Sequence, residues 1–89
     1  MKTAESRYLA RLAQLDCVLC GDTPVEIHHL RTGQGMAQRA QHWLTMPLCP
    51  DCHRGPRGVH GDKQRMYAQK VDELDLLARA IEALYAGVK

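Results

Sequence analysis

Apolar positions change their spacing along the chain, and each change marks an element. Tyr8, Leu12 and Leu15 recur at helical spacing, which predicts a helix over residues 3–15 with Thr3 placed to cap its start. Arg7 and Arg11 fall on another face of that helix, where side chains are usually solvated. Asp22-Thr23-Pro24 breaks the chain, and Val25 to Leu30 then reads as a short strand. Arg31-Thr32-Gly33-Gln34-Gly35 is too polar and glycine-rich to extend it, so a loop follows, with a helical turn over residues 37–42. Trp43 to Leu48 reads as a second strand, which Pro47 confines to a sheet edge or a strand end because proline has no N–H. After the break at Gly55-Pro56-Arg57-Gly58, a helix is predicted to begin between Val59 and Asp62 and to reach Gln69. Asp72 caps a last helix over residues 72–86, whose Leu74, Leu77, Ile81 and Leu84 form one apolar stripe assigned to the core, and Gly87 stops it. Helices around two short strands, with no internal repeat, give an α+β fold and one domain over residues 1–89.

A chain of 89 residues with no Phe, and only Tyr8, Trp43, Tyr67 and Tyr85 as large rings, has little material for a core. Cys17/Cys20 and Cys49/Cys52 offer the missing staple, two Cys-x-x-Cys pairs whose four thiols suit tetrahedral zinc. Structural zinc contributes on the order of 10 kcal/mol to a small domain, so folding is expected to depend on it. The start of the chain holds no apolar run that reads as a signal peptide or membrane span, which points to the cytoplasm. In that reducing setting paired cysteines are zinc ligands before they are disulfides, and no βαβ frame supports thioredoxin-like chemistry.

His28 and His29 lie between the cysteine pairs, His53 follows the second pair directly, and His42 and His60 lie within the same segment. A neutral imidazole can take a proton from water or ligate a divalent ion, so this collection suggests a second, reactive metal. Residues 27–70 also concentrate charge: Arg31, Arg39, Arg54, Arg57, Lys63, Arg65 and Lys70 stand against Asp51 and Asp62, within a whole-chain net charge of +2. A positive surface around metal ligands suits a phosphate backbone, with Arg31, Arg39, Arg54 and Arg57 as candidate clamps, or as plain solubilising residues. One geometric objection follows from the strand. Neighbouring side chains point to opposite faces, so His28 and His29 share one site only at a twist or a strand end.

Cys-x-x-Cys, then Ile27-His28-His29-Leu30, then Pro47-Leu48-Cys49-Pro50-Asp51-Cys52-His53 resembles the HNH, or ββα-metal, endonucleases with a zinc-knuckle frame. The Gly33–Gly35 loop, the approach from Trp43 to Cys49 and Gly58-Val59-His60 look most like the small phage and prophage recombination nucleases, Ref-like and YbcO-like. The resemblance covers roughly residues 17–70. It implies a ββα-metal core between an N-terminal helix and C-terminal helices, with structural zinc on the four cysteines. It implies a divalent catalytic metal (Mg2+, Mn2+, Ni2+ or Zn2+) held by His28, with His53 and His60 as the candidates for the remaining ligand or ligands, and His29 as general base. DNA would be the substrate, a recombinase or other recombination protein a possible partner, and a bacterial host cell the setting. The chain departs from the pattern in having no Asn, which leaves His42 as the stand-in for the middle residue of the motif, ahead of Gln41 and Thr45. His28 likewise replaces the acidic residue often found before the base, and a histidine-rich site favours softer divalent ions. The rival expectation is a non-catalytic zinc module that docks on nucleic acid or on a recombination protein.

Overall fold

The computed structural model describes residues 2–86. Its elements are α1 (Thr3–Leu12), β1 (Glu26–His29), β2 (Thr45–Leu48), α2 (Pro50–Arg54), α3 (Gln64–Gln69) and α4 (Glu73–Ala86). Two antiparallel strands and four helices make a small α+β domain. None of the described helices is long and apolar enough to cross a membrane.

The sheet pairs Glu26 with Leu48, Ile27 with Pro47, His28 with Met46 and His29 with Thr45. The Leu30 N–H donates to the Leu44 carbonyl at 2.9 Å in the same register, so hydrogen-bonded pairs fall at every second position and Pro47 occupies a non-bonded one. Its missing N–H therefore costs the ladder nothing, and its carbonyl is free to accept the Val18 N–H of the first cysteine knuckle at 3.1 Å. β2 is buried along its whole length. Leu12 from α1, Met46 and Leu48 from β2, and Leu76 and Ala80 from α4 fill the core, all fully buried. Tyr8 packs its ring 5.0 Å from that of Trp43 and donates its hydroxyl to the Trp43 carbonyl at 3.1 Å, supplying some of the bulk that the missing Phe does not.

Several boundaries differ from the sequence expectations, each for a local reason. α1 ends at Leu12, because Gln14 and Leu15 donate three residues back, to Arg11 and Leu12, and tighten the last turn. Lys2 is its N-cap in place of Thr3, and the Glu5 carboxylate accepts the Lys2 backbone N–H at 3.3 Å. Residues 37–42 form no helix: Ala37 turns through φ +63°, and the Arg31 guanidinium ties this loop down by donating to the carbonyls of Gln38 and Gly35. α2, unanticipated, starts where Cys49 accepts the Cys52 N–H on its sulfur and Pro50 takes the first helical position. α3 begins only at Gln64, because residues 55–63 wrap back onto α2. In that wrap Val59 donates to the Cys52 carbonyl at 2.8 Å and His60 to the His53 carbonyl at 3.1 Å.

Asp72 caps α4 as expected, in a reciprocal box: its carboxylate accepts the Asp75 N–H and the Asp75 carboxylate accepts the Asp72 N–H, both at 2.9 Å. The apolar stripe of α4 is rotated from the expected one. Leu76 and Ala80 face the core and Leu77 and Leu84 are half-buried, whereas Leu74 and Ile81 remain 54% and 44% exposed. α4 packs on β2 and on α1. The expected stop at Gly87 lies outside the described residues.

Candidate metal centres

Four cysteine sulfurs converge within 4.8 Å of one another, from two knuckles that different parts of the chain deliver. The first knuckle closes on itself: Gly21 donates to the Cys17 carbonyl at 2.8 Å and takes φ +86°, a left-handed turn that glycine adopts freely. Cys49 stands at the end of β2 and Cys52 one turn into α2. No sulfur is bridged to another; the Cys20–Cys49 separation is 3.5 Å, close to the ~3.8 Å edge of a tetrahedron whose metal–sulfur bonds are ~2.3 Å. Backbone N–H groups of Leu19 and Cys20 point at the Cys17 sulfur, that of Cys52 at the Cys49 sulfur, and Arg65 donates to the Cys52 sulfur at 3.2 Å. Burial opposes the Cys17 thiolate, but backbone N–H groups of Cys49, Cys20 and Leu19 outweigh it and bring the thiol down to about 7. Burial pushes the Cys52 thiol up to about 11, and burial with the neighbouring sulfurs raises Cys20. Four thiolates this close repel one another, and a shared cation removes that conflict. The donors, their spacing and the N–H groups behind them fit a structural metal such as zinc.

A second cluster takes His53 from the same α2, the residue after Cys52. Strand alternation puts Glu26 and His28 on one face of β1, and α2 with its following wrap brings His53 and His60 to that face. The rings of His28, His53 and His60 lie 4.8–5.1 Å apart centroid to centroid, and one nitrogen from each falls within 4.8 Å of the others. His53 and His60 face each other through Nε2 at 3.1 Å. The wrap that carries His60 depends on Gly58, where an added Cβ would sit 2.5 Å from the Cys52 carbonyl. Exposure rises from His28, which is 2% exposed, to His60, so the cluster opens to solvent on the His60 side.

Carboxylates stand behind two of these rings. Glu26 accepts from His53 Nδ1 at 2.8 Å and from the Arg54 guanidinium through both oxygens, and the hydrogen bonds from Arg54 and then His53 hold its carboxyl at about 2. Glu73, on the first turn of α4, accepts from His28 Nε2 at 2.5 Å and from Thr32 and the Arg31 backbone. Burial works against its charge, yet those hydrogen bonds keep it at about 2. Burial lowers the pKa of His28 and of His60. Carboxylate behind histidine is the arrangement that fixes the ring and raises the basicity of a ligating nitrogen.

His29, the next residue along β1, points the opposite way, as the strand dictates. Its Nε2 lies 3.0 Å from His42 Nδ1, and Thr45 donates its hydroxyl to the His42 carbonyl at 2.8 Å, holding the partner in place. Burial lowers the pKa of His29, and the charges of Arg39, His42 and His28 lower it further. The two sets meet at the open edge of β1, in a groove of about 370 Å³ lined by His28, His29, His53, His60 and Arg39.

The four candidate arginines divide. The Arg31 guanidinium donates to loop carbonyls and that of Arg54 to Glu26, both at the surface, with the Arg54 side chain 67% exposed. Arg39 lines the groove, and Arg57 stands apart in a shallow cleft with Asp51 and Arg65. Sequence reasoning missed Glu26, Glu73 and Arg65. Glu26 was findable, because it is two residues before His28 and so shares its face; Glu73 and Arg65 reach their partners across 45 and 13 residues, with no local signal. No family model, curated protein or solved structure matches the chain.

Proposed function

We propose that the chain is a metal-dependent endonuclease that hydrolyses phosphodiester bonds in DNA. The observation that carries the reading is the groove where three convergent histidines, two of them braced by carboxylates, meet a fourth histidine and an arginine. A divalent cation held by His28, His53 and His60 would polarise the scissile phosphate and stabilise its developing charge. The site keeps an open side, as catalytic metal sites do, whereas the cysteine cluster uses all four positions. Histidine ligands admit zinc, manganese or nickel as readily as magnesium.

His29 serves as the general base. The role requires the tautomer in which His29 donates its Nε2–H to His42 Nδ1, which leaves the Nδ1 lone pair to accept a proton from water, and burial lowers the pKa of His29, which favours the neutral ring. His42 then orients the base, the role for which the chain has no Asn. Arg39 supplies positive charge beside the base, where a phosphate backbone would run. The order β1, β2, α2 around the histidines agrees with the HNH resemblance of the sequence, and that resemblance alone carries the phage and recombination setting.

Supercoiled plasmid incubated with the protein and each divalent metal in turn should become nicked or linear. His29→Ala should slow this by roughly 10²–10⁴-fold while leaving the fold intact, the usual contribution of a general base. Undiminished cutting by His29→Ala refutes the role, and no cutting in any metal favours the zinc-binding adaptor.

A further inference from the structure

We infer that Glu73 is a positioning residue that decides which nitrogen His28 presents to the metal, a step that rests on His28 being a ligand. Carboxylate oxygens only accept hydrogen bonds when ionised, so the 2.5 Å contact from His28 Nε2 to Glu73 Oε2 places the ring hydrogen on Nε2 and leaves the lone pair on Nδ1. His53 is wired the other way round: its Nδ1 faces Glu26 and its Nε2 faces His60. The ligand set is therefore mixed, Nδ1 from His28 and Nε2 from His53.

Glu73 has the bonding of a holder. Its Oε1 accepts from the Thr32 N–H and the Thr32 hydroxyl, both at 2.7 Å, and the Arg31 N–H lies 3.0 Å from both oxygens. Both oxygens are thus engaged, Oε1 by Thr32 and Arg31 and Oε2 by His28 and Arg31. The carboxylate stands one turn from Leu76, which is fully buried, so the packing of α4 on the core sets the position of a group that in turn sets a ring on β1. A histidine without such a partner could present either nitrogen, and half of those arrangements would turn the lone pair away from His53 and His60.

Long-range proton–nitrogen correlation spectra of the zinc-loaded wild type, before and after one further equivalent of Co2+, test this directly. The expected result is His28 in the Nε2–H form before addition, with Nδ1 perturbed by the added ion. Glu73→Ala should mix the two tautomers and weaken Co2+ binding by roughly 10–100-fold without releasing the cysteine-bound zinc. Glu73→Gln, which keeps a carbonyl for the Nε2–H, should recover most of that loss. Thr32→Ala removes one hydrogen bond from Glu73 and leaves those of the Thr32 and Arg31 N–H groups, so its loss of Co2+ affinity should be smaller than that of Glu73→Ala. An Nδ1–H form in the wild type, or unchanged Co2+ affinity in Glu73→Ala, overturns the inference while leaving the histidine site standing. A wild type that takes up no second ion defeats the site itself.

Discussion

The cysteine and histidine clusters each take a member from the same short helix yet differ in what surrounds them. Cys17, Cys49 and Cys52 are buried, their sulfurs approached by backbone N–H groups and by Arg65, and all four ligands close on one another. The histidines grade from buried His28 to exposed His60 and face an open groove. A closed set of four soft ligands can hold a fold together, whereas three nitrogen ligands with an open side can admit substrate. Sharing α2 has a consequence: Cys52 and His53 are adjacent, so a metal on the cysteines would also fix the position of His53.

The largest break in that comparison should come from the staple. Stripping the cysteine-bound metal with a strong chelator, or Cys49→Ser, removes on the order of 10 kcal/mol from a domain with a thin core. Circular dichroism should then show no cooperative thermal transition, while His53→Ala, tested in parallel, should keep one. On the other side, His29→Ala should cost the roughly 10²–10⁴-fold in plasmid cleavage given above and leave the transition in place.

Gly58→Ala probes the connection between the two. Its Cβ would meet the Cys52 carbonyl at 2.5 Å, so the wrap must move, at about 1–3 kcal/mol of stability, and His60 moves with it. The midpoint should fall modestly, and affinity for the second metal should fall while the cysteine metal is retained.

Acidification gives the smallest effect. His28, His29 and His60 have folded pKa values below the ordinary 6.5, so the unfolded chain binds more protons in the window just below pH 6.5. Their contribution is present above pH 6.5 and declines as pH drops through that window, so the thermal midpoint should be lower at pH 5.5 than at pH 7. Glu26 and Glu73, both near 2, add a second decline only as pH falls from about 4.5 toward 2.

Much of this organisation was legible in the residues. The cysteine spacing, the strand carrying His28 and His29, the opposed directions of those two side chains and the Asp72 cap all follow from local rules, and the structure shows each of them. The phase of α4 was not legible. Leu74, Leu76, Leu77, Ala80, Ile81 and Leu84 offer apolar residues on more than one face, and the choice among them falls to long-range events: the packing of α4 on β2 and the tie from Glu73 to His28. α2 was hidden because Cys49 caps it with a sulfur, a cap that also reads as a metal ligand. Charge alone picks out Arg31 and Arg54, and only tertiary contacts show that their guanidinium groups also bond to loop carbonyls and to Glu26.

Counting metals per chain by native mass spectrometry during a chelator titration, with plasmid cleavage followed in the same samples, tests the division of labour most directly. One ion should resist the chelator until the fold is lost, a second should leave early, and cleavage should vanish with that second ion. Two ions leaving together, or cleavage that persists after the weaker ion is gone, would contradict it.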